Sequence, residues 1–185
     1  MRVFGIDPGS ERTGYGCVET DGHRHQLVAC GAIAPPGGST FPERLRLIHD
    51  QLVAVIAECQ PELVAIENLF HSVNVRNALK LGHARGVAML AAVETGLTVV
   101  EYTPAEIKRA VVGYGRAEKR QVADMVRLLL GLEAPPAPHD AADALAVAIC
   151  HVHHTGGVLR GIVDDGRQLP RSWRNWRPPA GSRPS

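Results

Sequence analysis

Four carboxylates stand where this sequence could do chemistry. Asp7 closes the first apolar run, Glu67 closes a second run at 63–66, and Asp140 and Asp143 lie three residues apart. On a helix that spacing puts both side chains on one face. Carboxylates gathered from distant segments repel one another, and a multivalent cation would hold them together. Oxygen donors without Cys or regularly spaced His point to Mg²⁺ or Mn²⁺ rather than zinc. Taken singly, each acid has an ordinary structural reading. Asp7 precedes Pro8-Gly9 as a turn residue would, Glu67 could be where a strand meets water, and Asp140 suits a helix N-terminus. Asp143 is harder to explain away, because Ala141, Ala142, Ala144, Leu145, Ala146 and Val147 surround it. A charge in such a helix is costly unless paired.

Bases and an aromatic accompany the acids. Gly113-Tyr114-Gly115 lies between Lys108 and Lys119; it lacks the spacing of a P-loop, yet it could approach a phosphate backbone. Arg76, Lys80 and Arg85 form a second basic stretch, and Phe70, just beyond Glu67, could stack on a base. On local grounds each has an equally ordinary reading as a solvated or packed residue. His151, His153 and His154 read as structural residues closing a helix, where cations suit the dipole. His139 either assists the acid pair or merely neighbours it.

These residues need elements to position them. Segments 2–6, 13–19 and 26–34 read as three consecutive strands, with Asp21-Gly22 in the second connection, and suggest an antiparallel meander. Leu45, Ile48, Leu52, Val55, Ile56 and Cys59 fall at helical spacing. The continuous run 63–66 suits a strand buried on both faces. A helix through Leu79 to Val93, a strand at 98–102 and a short helix begun by Thr103-Pro104-Ala105-Glu106 follow. Helices over about 117–130 and about 139–154 complete an α/β fold with a five-stranded mixed sheet flanked by helices. Asp7 and Glu67 then stand at the strand C-termini, the edge where open α/β sheets bind ligands.

Composition sets the remaining bounds. At 185 residues one domain is the default. No apolar run approaches the length of a membrane span, and Met1-Arg2-Val3-Phe4-Gly5-Ile6-Asp7 is unlike a signal peptide. Cys17, Cys30, Cys59 and Cys150 are scattered singly, which argues for a reducing, cytoplasmic setting. Residues 1–155 are expected to form the domain and 156–185 a disordered basic tail rich in Pro and Arg, with Trp173 and Trp176. The net charge of +1 at first argues against a nucleic-acid partner.

The sequence resembles the RuvC family of Holliday junction resolvases. The resemblance rests on Gly5-Ile6-Asp7-Pro8-Gly9 with Thr13-Gly14-Tyr15-Gly16, on Ile66-Glu67, and on residues 74–82 with 84–87. Residues 111–119 and Asp140-Ala141-Ala142-Asp143-Ala144-Leu145-Ala146 continue it in order, so that it spans about 1–154 and leaves the tail outside. It implies a ribonuclease H-like fold and a homodimer that nicks two opposed strands of a four-way DNA junction. It further implies Asp7, Glu67, Asp140 and Asp143 as catalytic carboxylates and Mg²⁺ ligands, DNA contacts at Lys108, Lys119 and Phe70, and cooperation with the RuvA–RuvB branch-migration machinery in recombination and repair. Arg76 and Lys80 are the further candidate DNA contacts.

The mechanism expected is two-metal hydrolysis, with two Mg²⁺ per subunit (Mn²⁺ able to substitute), giving 5′-phosphate and 3′-hydroxyl ends. The rivals are an actin-like phosphotransferase, a catalytically silent junction-binding protein and an RNA-processing nuclease. On this reading the near-zero charge is a sum of two opposed parts: acids gathered in a metal pocket, and bases at 76–85, 108–120 and the tail.

Overall fold

The structure, a computed structural model, describes residues 1–68 and 75–163, with side chains to residue 156. Phe70 therefore lies outside the described residues, as does the chain beyond Val163. The elements are β1 (Arg2–Asp7), β2 (Thr13–Thr20), β3 (His25–Ile33), α1 (Phe41–Cys59), β4 (Leu63–Glu67), α2 (Val75–Glu94), β5 (Thr98–Tyr102), α3 (Pro104–Val112), α4 (Lys119–Leu129) and α5 (His139–Val163). The strands form one sheet in the order β3-β2-β1-β4-β5. The meander pairs antiparallel, and β1, β4 and β5 run parallel. This is the mixed α/β sheet that the alternation of periods predicts.

Strand alternation divides the core between the two faces of the sheet. Phe4, Ile6, Val64 and Ile66 pack under α1 and α2 with Ile48, Leu52, Ile56 and Ala88. Val3 and Ala65 face the other way, onto α3, α4 and α5, with Ile107, Val126, Leu145 and Ile149. The run 63–66 is apolar throughout because both its faces are covered.

Two helix starts follow the capping chemistry of their sequence. The Thr103 hydroxyl accepts from the Glu106 N–H at 3.3 Å and Glu106 Oε2 accepts from the Thr103 N–H at 2.8 Å. α4 begins two residues later than the apolar pattern predicts, because Glu118 is its N-cap. α5 runs on past His154 to Val163. Its three late histidines therefore sit inside a helix and do not close it.

What brings α5 close enough to matter is the absence of side chains beneath it. A Cβ on Gly5 would land on the Ala144 carbonyl oxygen and the Ala148 N–H, and one on Gly14 would land on the Asp140 carbonyl oxygen. Gly14 is the register partner of Asp7. The backbone of α5 thus lies directly over the β1–β2 pair, with its first turn beside the end of β1.

Candidate active site

Asp7 and Glu67 end the parallel strands β1 and β4, half-buried, and their carboxyls are hydrogen-bonded to each other. Burial first, then repulsion by Glu67 and Asp143, pushes Asp7 up to about 8. Burial also raises Glu67, opposed by the hydrogen bond from Asp7 and by the charges of Lys119 and Lys108. Burial raises both carboxyls, so the hydrogen-bonded pair titrates as a unit and favours its singly protonated form.

Asp143 comes to the same place from α5. Lys119, the first residue of α4, donates to Asp143 Oδ2 at 2.8 Å, and that carboxylate holds the lysine above its ordinary range. Glu67, Lys108, Lys119 and Asp143 line one small cavity of about 60 Å³ between α3, α4 and the sheet edge. Asp140, one turn earlier on α5, is directed elsewhere: its Oδ2 is 3.7 Å from Arg12 Nη1. The structure thus joins Asp7, Glu67, Asp143 and Lys119, with Lys108 on the rim and Asp140 alongside.

Among the described residues no three His, Cys, Asp or Glu side chains close into a ligand set. The acids are instead neutralised by a proton and two cationic side chains. A buried group of hard oxygen donors that retains a proton at neutral pH is nevertheless suited to a divalent cation, which would displace that proton. The donor set fits Mg²⁺ or Mn²⁺ and does not fit a thiolate-seeking metal.

The other sequence candidates divide. Lys80 lines a cleft with Arg12 and Asn77, and its ammonium lies 5.9 Å from the Phe41 ring centroid. Arg76 is exposed on the first turn of α2. Arg85 is a correction to the basic stretch 76–85: it is paired with Glu101 on β5, because the helix turns that side chain back onto the sheet edge. The late histidines are structural, but for a different reason from the helix dipole. His151 is hydrogen-bonded to Tyr102 Oη at 2.8 Å, and His153 Nδ1 donates to the Ala110 carbonyl at 2.8 Å. Cys17 and Cys59, far apart in sequence, meet in the core, where burial pushes the Cys17 thiol up to about 12. Sequence reasoning missed Arg12. Its only signal was a cation inside the turn that follows Asp7.

A five-stranded mixed sheet of this order, with carboxylates at the ends of its central strands and on a crossing helix, defines a ribonuclease H-like fold. A model of the crossover junction endodeoxyribonuclease RuvC family matches residues 3–151, and the chain belongs to that family. A Chloroflexus aggregans crossover junction endodeoxyribonuclease RuvC is 52% identical over 153 residues, covering 83% of this chain and 93% of its own length. The Trichlorobacter lovleyi protein of the same name is 52% identical over 179 residues, 96% of this chain and 100% of its own. The family match itself ends before the tail, while that alignment covers Trp173 and Trp176 as well. Among solved structures, Thermus thermophilus RuvC in complex with a Holliday junction substrate superimposes with a TM-score of 0.81 at 36% identity, covering 85% of this chain and 96% of that one. The protein is accordingly a Holliday junction endonuclease. These relatives lend no support to the phosphotransferase or RNA-processing readings.

Proposed function

We propose that the protein resolves four-way DNA junctions with paired, symmetric nicks, acting as a Mg²⁺-dependent homodimer that leaves 5′-phosphate and 3′-hydroxyl ends. The observation that carries this reading is the Asp7–Glu67–Asp143 cluster with Lys119 in contact, at the ligand-binding edge of the sheet. Two Mg²⁺ ions held by Asp7, Glu67, Asp140 and Asp143 would supply an activated water and Lewis acidity toward the leaving oxygen. A bound cation would displace the proton that the buried Asp7–Glu67 pair favours. Lys119 is placed to set positive charge beside the pentavalent phosphate, and Lys108 on the rim to fix the strand. Arg76 and Lys80 on α2 carry the flanking backbone, with Phe70 against an opened base.

Paired nicks need two sites related by symmetry. The outer face of α2 suits that role. Leu79, Leu90 and Val93 are 61%, 51% and 61% exposed, and with Gly82 and Gly86 they follow helical spacing along one stripe. The glycines would let a second copy of the same helix approach closely, and the groove they line holds about 500 Å³. Leu90→Asp is expected to give a folded monomer by sedimentation velocity. It should nick junctions on one strand at a time, where the parent releases linear duplexes.

Membership of the family supports a role in recombination and repair of damaged DNA in the cytoplasm, alongside the RuvA–RuvB machinery, with residues 156–185 as a basic arm after the catalytic domain. No described helix is long and apolar enough to cross a membrane. The direct test is cleavage of four-way, three-way and linear DNA, and of an RNA duplex, side by side in Mg²⁺. Selective cutting of the four-way DNA, lost in Glu67→Gln, is the expected result. Equal cutting of linear duplex, or tight junction binding without cleavage in any divalent metal, would overturn the proposal.

A further inference from the structure

The two acids of α5 each hold a basic partner, and the two partners open onto different sides of the site. Lys119 lies with Glu67 in the cavity beneath α3 and α4. Arg12 lies on the opposite side, where Ser10, Glu11, Arg12, Asn77, Lys80 and Asp140 line an open cleft of about 780 Å³ between the β1–β2 turn and α2. The Arg12–Asp140 pair is loose, at 3.7 Å with the arginine side chain 51% exposed. Such a pair contributes little stability, so it is readily exchanged. The cleft joins an acid of the site to Lys80 of α2, and it is wide enough for a phosphate backbone.

We infer that Arg12 is a DNA-backbone contact gated by metal: it neutralises Asp140 in the metal-free protein and is released to a phosphate when a divalent cation takes that carboxylate. This rests on the reading of Asp140 as a metal ligand. A carboxylate oxygen committed to a divalent cation no longer attracts a guanidinium, and the cation's own charge repels it. The freed arginine finds its nearest anion in a strand lying along the cleft, where its fork suits phosphate. Metal and DNA then favour each other's binding through one side chain, and the coupling is reciprocal.

The test is binding of a labelled four-way junction by the full chain, in EDTA and in Ca²⁺, across a salt series, with strand integrity checked in each sample. Arg12→Met is expected to weaken binding about fivefold in Ca²⁺ and to reduce the slope of log K against log salt by about one, as for a lost phosphate contact. In EDTA its affinity should stay within about twofold of the parent, because the arginine is then engaged with Asp140. Without DNA, Mn²⁺ titration followed by electron paramagnetic resonance should show Arg12→Met tightening Mn²⁺ a few-fold, an effect absent in the Asp140→Asn background. Equal loss of junction affinity in both conditions would make Arg12 an ungated contact, and no loss in either would make it a surface pair. Unchanged or weaker Mn²⁺ binding would likewise overturn the exchange. If Asp140→Asn and Glu67→Gln leave Mn²⁺ binding intact, the metal reading of the acids itself fails, and the exchange with it.

Discussion

Asp7→Asn is expected to abolish junction cleavage and at the same time make the metal-free protein more stable. Burial and the Glu67 and Asp143 carboxylates push this group from its ordinary 3.8 to about 8. Between those values the folded chain holds a proton here that the unfolded chain has released. Stability from this group is therefore lost as pH rises from about 4 to about 8, and the full penalty of ionisation applies above that. Asn removes the charge and the penalty together. In EDTA at pH 8.5, Asp7→Asn should raise Tm by about 4 °C or more, with the gain shrinking toward pH 4. Saturating Mg²⁺ should narrow or reverse the difference, since only the parent keeps all four carboxylates to bind it. Cleavage should fall by about 10³-fold or more. The checks are thermal melts against pH with and without metal, and single-turnover junction cleavage. A lower Tm at pH 8.5, or cleavage near the parent rate, would contradict the account of a repulsive site.

Gly5→Ala should be among the most damaging single-methyl changes in the chain. The added carbon meets the backbone of α5 at Ala144 and Ala148, and backbone cannot rotate aside as a side chain can. Because α5 is pinned to the sheet along its first turns, relief requires moving the helix that carries Asp140 and Asp143. A loss of about 3 kcal/mol is expected, near the upper end of overpacking costs, which lowers Tm by about 10 °C at this size. Gly37→Ala, at a position where nothing lies within 4 Å of the added carbon, should change Tm by no more than about 1 °C. Circular-dichroism melts of the two variants against the parent make the comparison. Cleavage by Gly5→Ala at a temperature where it remains folded should also fall, because the acids of α5 have been displaced.

Both predictions rest on features with different visibility in the sequence. The strand ends at Asp7 and Glu67 were legible because an apolar run stopped by an acid marks where a buried strand emerges. The helix start at Thr103 was legible because capping chemistry is local, within four residues. The end of α5 was not, since Gly156 and Gly157 weaken the helical pattern although the helix continues. Arg85 was misread as part of a basic face because its partner Glu101 is on another element.

The sequence by itself determined the order of elements and the two-faced sheet and singled out four candidate acids, because period, capping and burial patterns act over a few residues. The tertiary structure decided how those acids share their charge. Asp7 is raised because the fold buries it and then brings Glu67 and Asp143 beside it, Asp143 is paired with Lys119 of α4, and Asp140 is turned toward Arg12. Electrostatic energy depends on distance and desolvation between groups far apart in the chain. Those distances exist only once α5 has settled onto Gly5 and Gly14.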